Sequence, residues 1–428
     1  MDTYKKITLS NGARLLLVPS PGTAAVTVQL LFEVGSRYES LKLNGASHYI
    51  EHMMFKGTER RPNTVDIARD LDAVGAEFNA FTGKDYTGYF IKLQADKFEL
   101  AADMLEDMIF HSVYRPDDLD SERNVICEEI RMYEDNPMMF VDELMEQELY
   151  RGSSLGRRIS GTVETMKGIG RRELIGYRDD YYVPSRTVAS VAGKFDEAAV
   201  VKMMEEKFGA RKEVKKPKGF RRFQTAKAGY NGVRFKIWPK ETEQVQLAIG
   251  FPAYPYGDER MPALNLMSII LGGTMSSRLF LTVREKHGLA YSIHAGINPY
   301  QDVGGVMVQA GLAKDRVHQA IKLILRELDK IRTKEVAAEE LERAKENVKG
   351  RLTLSLEDSR HLADWYARQE LMVKKAETPE EKLAKIMAVT RDQVRRAAAD
   401  VFKNRQMTMA VIGPYSDNKP FLRHAKTL

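Results

Sequence analysis

The sequence predicts an α+β protein of two homologous domains, each a mostly antiparallel sheet packed with helices. Short Val-, Ile- and Phe-rich runs are interspersed with long amphipathic segments without strict alternation, which disfavours a doubly wound parallel sheet. The two halves also overlay. Gly45 to Thr58 lies on Met261 to Thr274 at an offset of 216, and Leu119 to Ile130 lies on Leu341 to Leu352 at an offset of 222. Near-equal offsets are the mark of a duplicated unit, here of about 210 residues. Between the halves, Arg211 to Arg222 carries seven basic residues in twelve together with Pro217 and Gly219, and reads as a solvated linker. The expected division is therefore a domain over 1–210, a basic linker over 211–228 and a second domain over 229–428.

In chain order, Arg14 to Val18 and Ala25 to Glu33 read as strands by their β-branched and aromatic content. A helical pattern covers Gly45 to Thr58, and amphipathic helices are expected over Asn63 to Val74, Lys97 to Ser112 and Asp117 to Glu134, with a strand at Thr87 to Leu93. The second half repeats the theme with strands at Val245 to Phe251 and Gly305 to Ala310 and a helix over Lys314 to Ile331.

Composition narrows the function. The 428 residues are 43% hydrophobic and 29% charged, and no apolar run approaches the roughly eighteen residues a bilayer requires. The N-terminus has an early acid and no apolar stretch ending in a cleavage site, so the expectation is a cytoplasmic chain without membrane association. The 66 basic residues are interleaved with 60 acidic ones, which argues against a nucleic-acid partner. The single cysteine, Cys127, cannot form an internal disulfide and fits a reducing compartment.

The chemistry lies in His48-Tyr49-Ile50-Glu51-His52. At about 100° per residue the two histidines and Glu51 project from one helical face. Two imidazoles one turn apart can grip one Zn2+, and Glu51 stands where it could take a proton from water at the open position. Such a match arises by chance in roughly one comparable chain in a hundred. A third ligand is needed, and the segment Ser121 to Glu134 offers carboxylates. With Val125 at zero, the apolar face centres near about 80°, Glu129 and Glu122 fall inside it at roughly 40° and 60°, and Glu128 falls outside at roughly −60°. Carboxylates among Val and Ile are costly to bury without a cation or donors, so Glu122 and Glu129 call for a nearby metal and Glu128 does not. Cys127 points away from that side and reads as packing.

With these residues the chain resembles the insulinase and mitochondrial-processing-peptidase family of zinc metallopeptidases, family M16, whose H-x-x-E-H is the inverzincin signature. Gly35-Ser36-Arg37 and Gly75 to Thr82 match the family as well, and Gly272 to Leu279 and Val283 to Ser292 match its smaller two-domain peptidases. The resemblance implies a LuxS/MPP-like metalloprotease fold and one Zn2+ per chain on His48, His52 and Glu129. Glu51 would be the catalytic base, and Glu122, matching the first Glu of the family's E-x-x-x-x-x-x-E pair, would orient the first shell. It further implies that Arg284 and Tyr291 reach the peptide near the scissile bond, where a guanidinium and a phenol can donate to carbonyls or an oxyanion. Asn79, Ala80, Phe81 and Thr82 resemble the family's edge strand, to which a peptide adds. Under the two overlays His48, Glu51, His52 and Glu129 correspond to Leu264, Met267, Ser268 and Arg351, so the second half carries no equivalent metal position. The expected activity is endoproteolysis of short or unfolded polypeptides inside a dimeric chamber. The expected assembly is a homodimer or a heterodimer with a related subunit, and the alternative is a non-catalytic processing partner that binds peptide.

Overall fold

The computed structural model describes residues 4–213, 217–225 and 232–424. Residues 214–216 and 226–228 of the expected linker lie outside these. The first sheet contains β1 (Lys5–Thr8), β2 (Arg14–Pro19), β3 (Ala25–Phe32), β4 (Glu77–Thr82), β5 (Thr87–Gln94) and β6 (Thr187–Gly193), in the order β1-β2-β6-β3-β5-β4. The second contains β7 (Arg234–Pro239), β8 (Gln244–Ala253), β9 (Ala290–Pro299), β10 (Gly304–Ala313) and β11 (Thr408–Gly413), in the order β7-β11-β8-β10-β9. Without β1 the two orders are the same. Each sheet has one parallel pair, β2 with β6 and β7 with β11, among otherwise antiparallel neighbours. The duplication expected from two short overlays is thus present in the strand topology, and the mostly antiparallel α+β class holds.

The helices that matter below are α1 (Ala46–Met53), α2 (Thr64–Asp72), α3 (Phe98–His111), α4 (Pro116–Asp135), α5 (Pro137–Leu149), α6 (Met261–Ser268), α7 (Val317–Thr333), α8 (Ala338–Ser355) and α9 (Ser359–Val373). Each expected strand and helix is found within a few residues of its predicted ends, except that the helix expected over Gly45 to Thr58 stops at Met53. None of the described helices is long and apolar enough to cross a membrane.

Period-two alternation sorts the strand residues between two cores. In β2, Leu15 and Leu17 enter one cluster with Tyr49 and Ile50 of α1, Leu105 of α3 and Ile126 of α4, whereas Leu16 and Val18 enter another with Ala363, Tyr366, Ala367 and Leu371 of α9. In β8, Val245, Leu247, Ile249 and Phe251 face α6 and α7, whereas Ala248 faces Phe140, Val141, Leu144 and Met145 of α5. The approach of α5 is close. A Cβ at Gly250 would lie 2.2 Å from Met145 Sδ.

The compact units therefore depart from the expected division of 1–210 against 229–428. One unit holds the chain up to Ile130 with Arg157–Phe220 and Arg351–Thr378; the other holds Arg131–Gly156, Arg221–Gly350 and Pro379–Leu428. Each half lends one helix, so that α5 covers the second sheet and α9 the first. The physical reason is that both sheets are apolar on two faces and their own halves supply helices for only one.

Candidate metal centre

Helix α1 is two turns long. Ala46, Ser47, Tyr49, Ile50 and Met53 are buried, leaving His48, Glu51 and His52 on the other side. Tyr49 anchors the helix, its hydroxyl donating to the carbonyl of Leu119 in α4. Thus α1 and α4 are tied at the level where their polar side chains meet.

His48 Nε2 and His52 Nε2 lie 3.3 Å apart, and Glu129 Oε2 is 3.7 Å from each. These three form the one group of three or more His, Cys, Asp or Glu among the described residues whose ligand atoms converge. Burial, with His52 beside it, pushes His48 down to about 3, so its ring is neutral. Two imidazole nitrogens that converge on one point beside a carboxylate want a cation there. The edge of a zinc tetrahedron with bonds of about 2.0–2.1 Å is roughly 3.3–3.4 Å, which the histidine pair meets and the carboxylate exceeds slightly. The donor set fits Zn2+. His48 Nδ1 is buried without a partner, whereas His52 Nδ1 is 2.9 Å from Glu122 Oε2.

Glu122, which the resemblance implies as the residue that orients the metal ligands, meets His52 through this contact. Burial works against its charge, but the His52 and Lys56 contacts hold its carboxyl below the ordinary range. Lys56, which sequence reasoning missed, forms an ion pair with Glu122 Oε1. Glu51 Oε2 accepts from Thr82 Oγ1 at 2.5 Å. Burial pushes the Glu51 carboxyl up, and Thr82 and His52 offset part of that. The resemblance implies an edge strand at Thr82 but does not show that its hydroxyl reaches Glu51.

Glu129 is half-buried, Glu122 buried and Glu128 exposed, in the order the helical phase predicted. One detail differs. Val125 is 48% exposed, so the buried face of α4 is Leu119, Glu122, Ile126, Cys127 and Ile130, turned further round than the expected centre. The two carboxylates therefore sit at its margin, where a metal can be reached. Cys127 is buried in the core cluster, as expected.

Asn79, Ala80, Phe81 and Thr82 lie in β4, at the edge of the sheet, where among the described residues its one neighbouring strand is β5. The Asn79 side chain accepts from the Ala80 N–H at 2.8 Å. In the second unit Arg284 belongs to the helical segment Phe280–Lys286 and Tyr291 to β9, separated by Gly288 at φ +57°. The Arg284 guanidinium carbon is 5.7 Å from the centre of the Tyr291 ring, and Tyr291 is 71% exposed, so both present donors on one surface of that unit. Leu264, Met267 and Ser268, the counterparts of His48, Glu51 and His52, are all buried in α6.

Comparison with known proteins agrees with this division. Insulinase (Peptidase family M16) matches residues 14–163, and Peptidase M16 inactive domain matches residues 168–348, the part that lacks metal-binding residues at the equivalent helix. The uncharacterized zinc protease YmxG of Bacillus subtilis is 36% identical over 97% of this chain and 99% of its own. An uncharacterized zinc protease of Streptomyces coelicolor is likewise 36% identical, over 99% of this chain and 92% of its own. Among solved structures, a protease from Helicobacter pylori superposes with a TM-score of 0.91 at 22% identity, covering 96% of this chain and 99% of that one. The chain belongs to peptidase family M16.

Proposed function

We propose that the protein is a zinc-dependent endopeptidase that hydrolyses short or unfolded polypeptides, with Zn2+ held by His48, His52 and Glu129. The observation that carries this reading is the convergence, among the described residues, of three ligand atoms and not four, with Glu51 beside them. Structural zinc sites fill all four positions with protein, whereas catalytic sites keep one open. Zn2+ bound there supplies Lewis acidity toward the scissile carbonyl and toward water.

The chain's own residues do the rest. Glu51, held by Thr82, takes the proton of the attacking water and passes it to the leaving amine. Glu122 accepts from His52 Nδ1, which fixes the tautomer that leaves Nε2 free to bind. The open edge of β4 adds the peptide as a further strand, a ladder that every polypeptide can join and that gives weak sequence selectivity. Arg284 and Tyr291 donate to the peptide or to the developing oxyanion, from the same chain or from a partner. A homodimer enclosing a chamber suits a chain that carries both motif sets. A non-catalytic partner would lack one of His48, Glu51, His52 and Glu129, and all four are present. Turnover of a quenched peptide, abolished by chelation and restored by Zn2+, tests the reading; turnover indifferent to chelation refutes it.

A further inference from the structure

Helix α1 carries three of the four residues of the centre on only two turns, and its start cannot be capped in the usual way. An N-cap normally satisfies the first N–H groups with its own side chain. Here the N-cap is Gly45 at φ +101°, and a Cβ on it would lie 2.2 Å from Met166 Cε and 2.7 Å from the Ser160 carbonyl oxygen. No side chain fits there.

The missing acceptor comes from six residues upstream. Glu39 is 4% exposed, and its Oε2 accepts from the Gly45 N–H at 2.7 Å and from Asn44 Nδ2 at 3.0 Å, while its Oε1 accepts from the Ser47 N–H at 2.8 Å. All three partners are donors. Only an ionised carboxylate offers acceptors alone, and the positive end of a helix favours that charge. Burial nevertheless pushes the Glu39 carboxyl up to about 7, so this charge is kept at a cost. A buried carboxylate held by dipoles is an expensive way to start a helix unless the helix must not turn.

We propose that Glu39 is the positioning residue of α1, fixing the rotation of the helix and hence the aim of His48, Glu51 and His52. This rests on reading His48, His52 and Glu129 as metal ligands. The lever is Ser47, which directly precedes His48. Its N–H is held by Glu39, its hydroxyl lies 3.3 Å from that of Tyr177, and its carbonyl accepts from Thr82 at 3.5 Å. The surroundings are fixed in turn. Asn44 Nδ2 also donates to the Arg158 carbonyl at 2.9 Å, and Arg157 Nη1 donates to the Glu39 carbonyl at 2.8 Å. Sub-ångström changes in ligand placement are what such remote partners of a metal site control.

The test compares Glu39→Gln with Glu370→Gln. Glu370 is an equally buried carboxylate of the same unit, paired with Lys6 and Arg14 rather than with α1. Metal-free full-length proteins are titrated with Co2+, reading affinity by competition and ligand geometry by the visible d–d bands, alongside thermal melting. Both variants should melt below the wild type. Glu39→Gln alone should weaken Co2+ by about tenfold or more and alter its bands. Glu39→Asp, which keeps the charge but withdraws it by one methylene, should fall between, as should Asn44→Ala, which removes one donor; these decide the matter should Glu39→Gln not fold. Wild-type affinity and bands in these variants, or an equal loss in Glu370→Gln, overturn the positioning role and leave the ligand assignment standing. A wild-type protein that binds no Co2+ overturns the assignment itself, and the positioning role with it.

Discussion

Separating the two halves of the chain should unfold both. Helix α5, from the first half, buries Phe140, Val141, Leu144, Met145 and Leu149 in the second unit. At about 1.5–3 kcal/mol for each buried side chain, these five contribute roughly 7–15 kcal/mol as an upper estimate. That is as large as the whole net stability of a typical domain, about 5–15 kcal/mol. Removal of α9 likewise bares Leu16, Val18, Leu31, Val188 and Ala192 of the first sheet. Residues 1–220 and 221–428 expressed separately should show no cooperative thermal transition by circular dichroism, whereas co-expression should give one associated, cooperatively melting species. Within the intact chain, Tyr366→Ala should cost about 3–5 kcal/mol in urea unfolding, as expected for a fully buried aromatic. A fragment 1–220 that melts cooperatively within a few degrees of the full protein would refute the helix-exchange argument.

Glu129→Gln should weaken Zn2+ binding by about tenfold or more and Glu128→Gln by less than about twofold, since Glu129 and not Glu128 converges with His48 and His52; equal affinities in a competition titration would contradict the assignment of Glu129 as the ligand. Asp142, in α5 beside Glu143 and Glu146, has its carboxyl pushed up to about 7 by burial and then by those two neighbours. Because the folded pKa exceeds the unfolded one, the stability it contributes is full at low pH and is lost as the pH rises through 7. Asp142→Asn should therefore stabilise the protein at pH 8 by on the order of 2 kcal/mol, after discounting for partial exposure, and by little near about pH 4; a gain independent of pH would contradict this. Mixing Glu51→Gln protein with Arg284→Ala protein should restore part of the activity if the chain dimerises and Arg284 acts across the interface. Subunits shown to exchange without any return of activity would place Arg284 in cis.

The centre was legible because its signals are local. The spacing of His48 and His52 gives a helical face directly, and Glu129 could be chosen over Glu128 because a helix of known phase has only one buried side. The duplication was legible through the offsets of two overlays, whereas the strand order was not. What could not be read depends on contacts distant in sequence. Nothing in Pro137–Leu149 or Ser359–Val373 marks them as covering the sheet of the other half, because any apolar helix face serves any apolar sheet. Val125 was counted as core because β-branched residues usually are, and it is exposed. Thr82 on Glu51, Lys56 on Glu122 and Glu39 at the start of α1 are polar partners brought together by the fold, and none forms a fixed-spacing pattern.

The central claim, that Glu51 beside the His48, His52 and Glu129 centre makes this chain a peptidase, is tested most directly by assaying wild type and Glu51→Gln at equal zinc content. Each is loaded with Zn2+, its stoichiometry is measured by atomic emission, and both are given the same quenched unfolded polypeptide. One zinc per chain is expected in both, with cleavage by the wild type and a fall in turnover of about 10²–10⁴-fold in Glu51→Gln. Equal turnover by the two zinc-loaded proteins, or no cleavage by a wild type that holds its zinc, would contradict it.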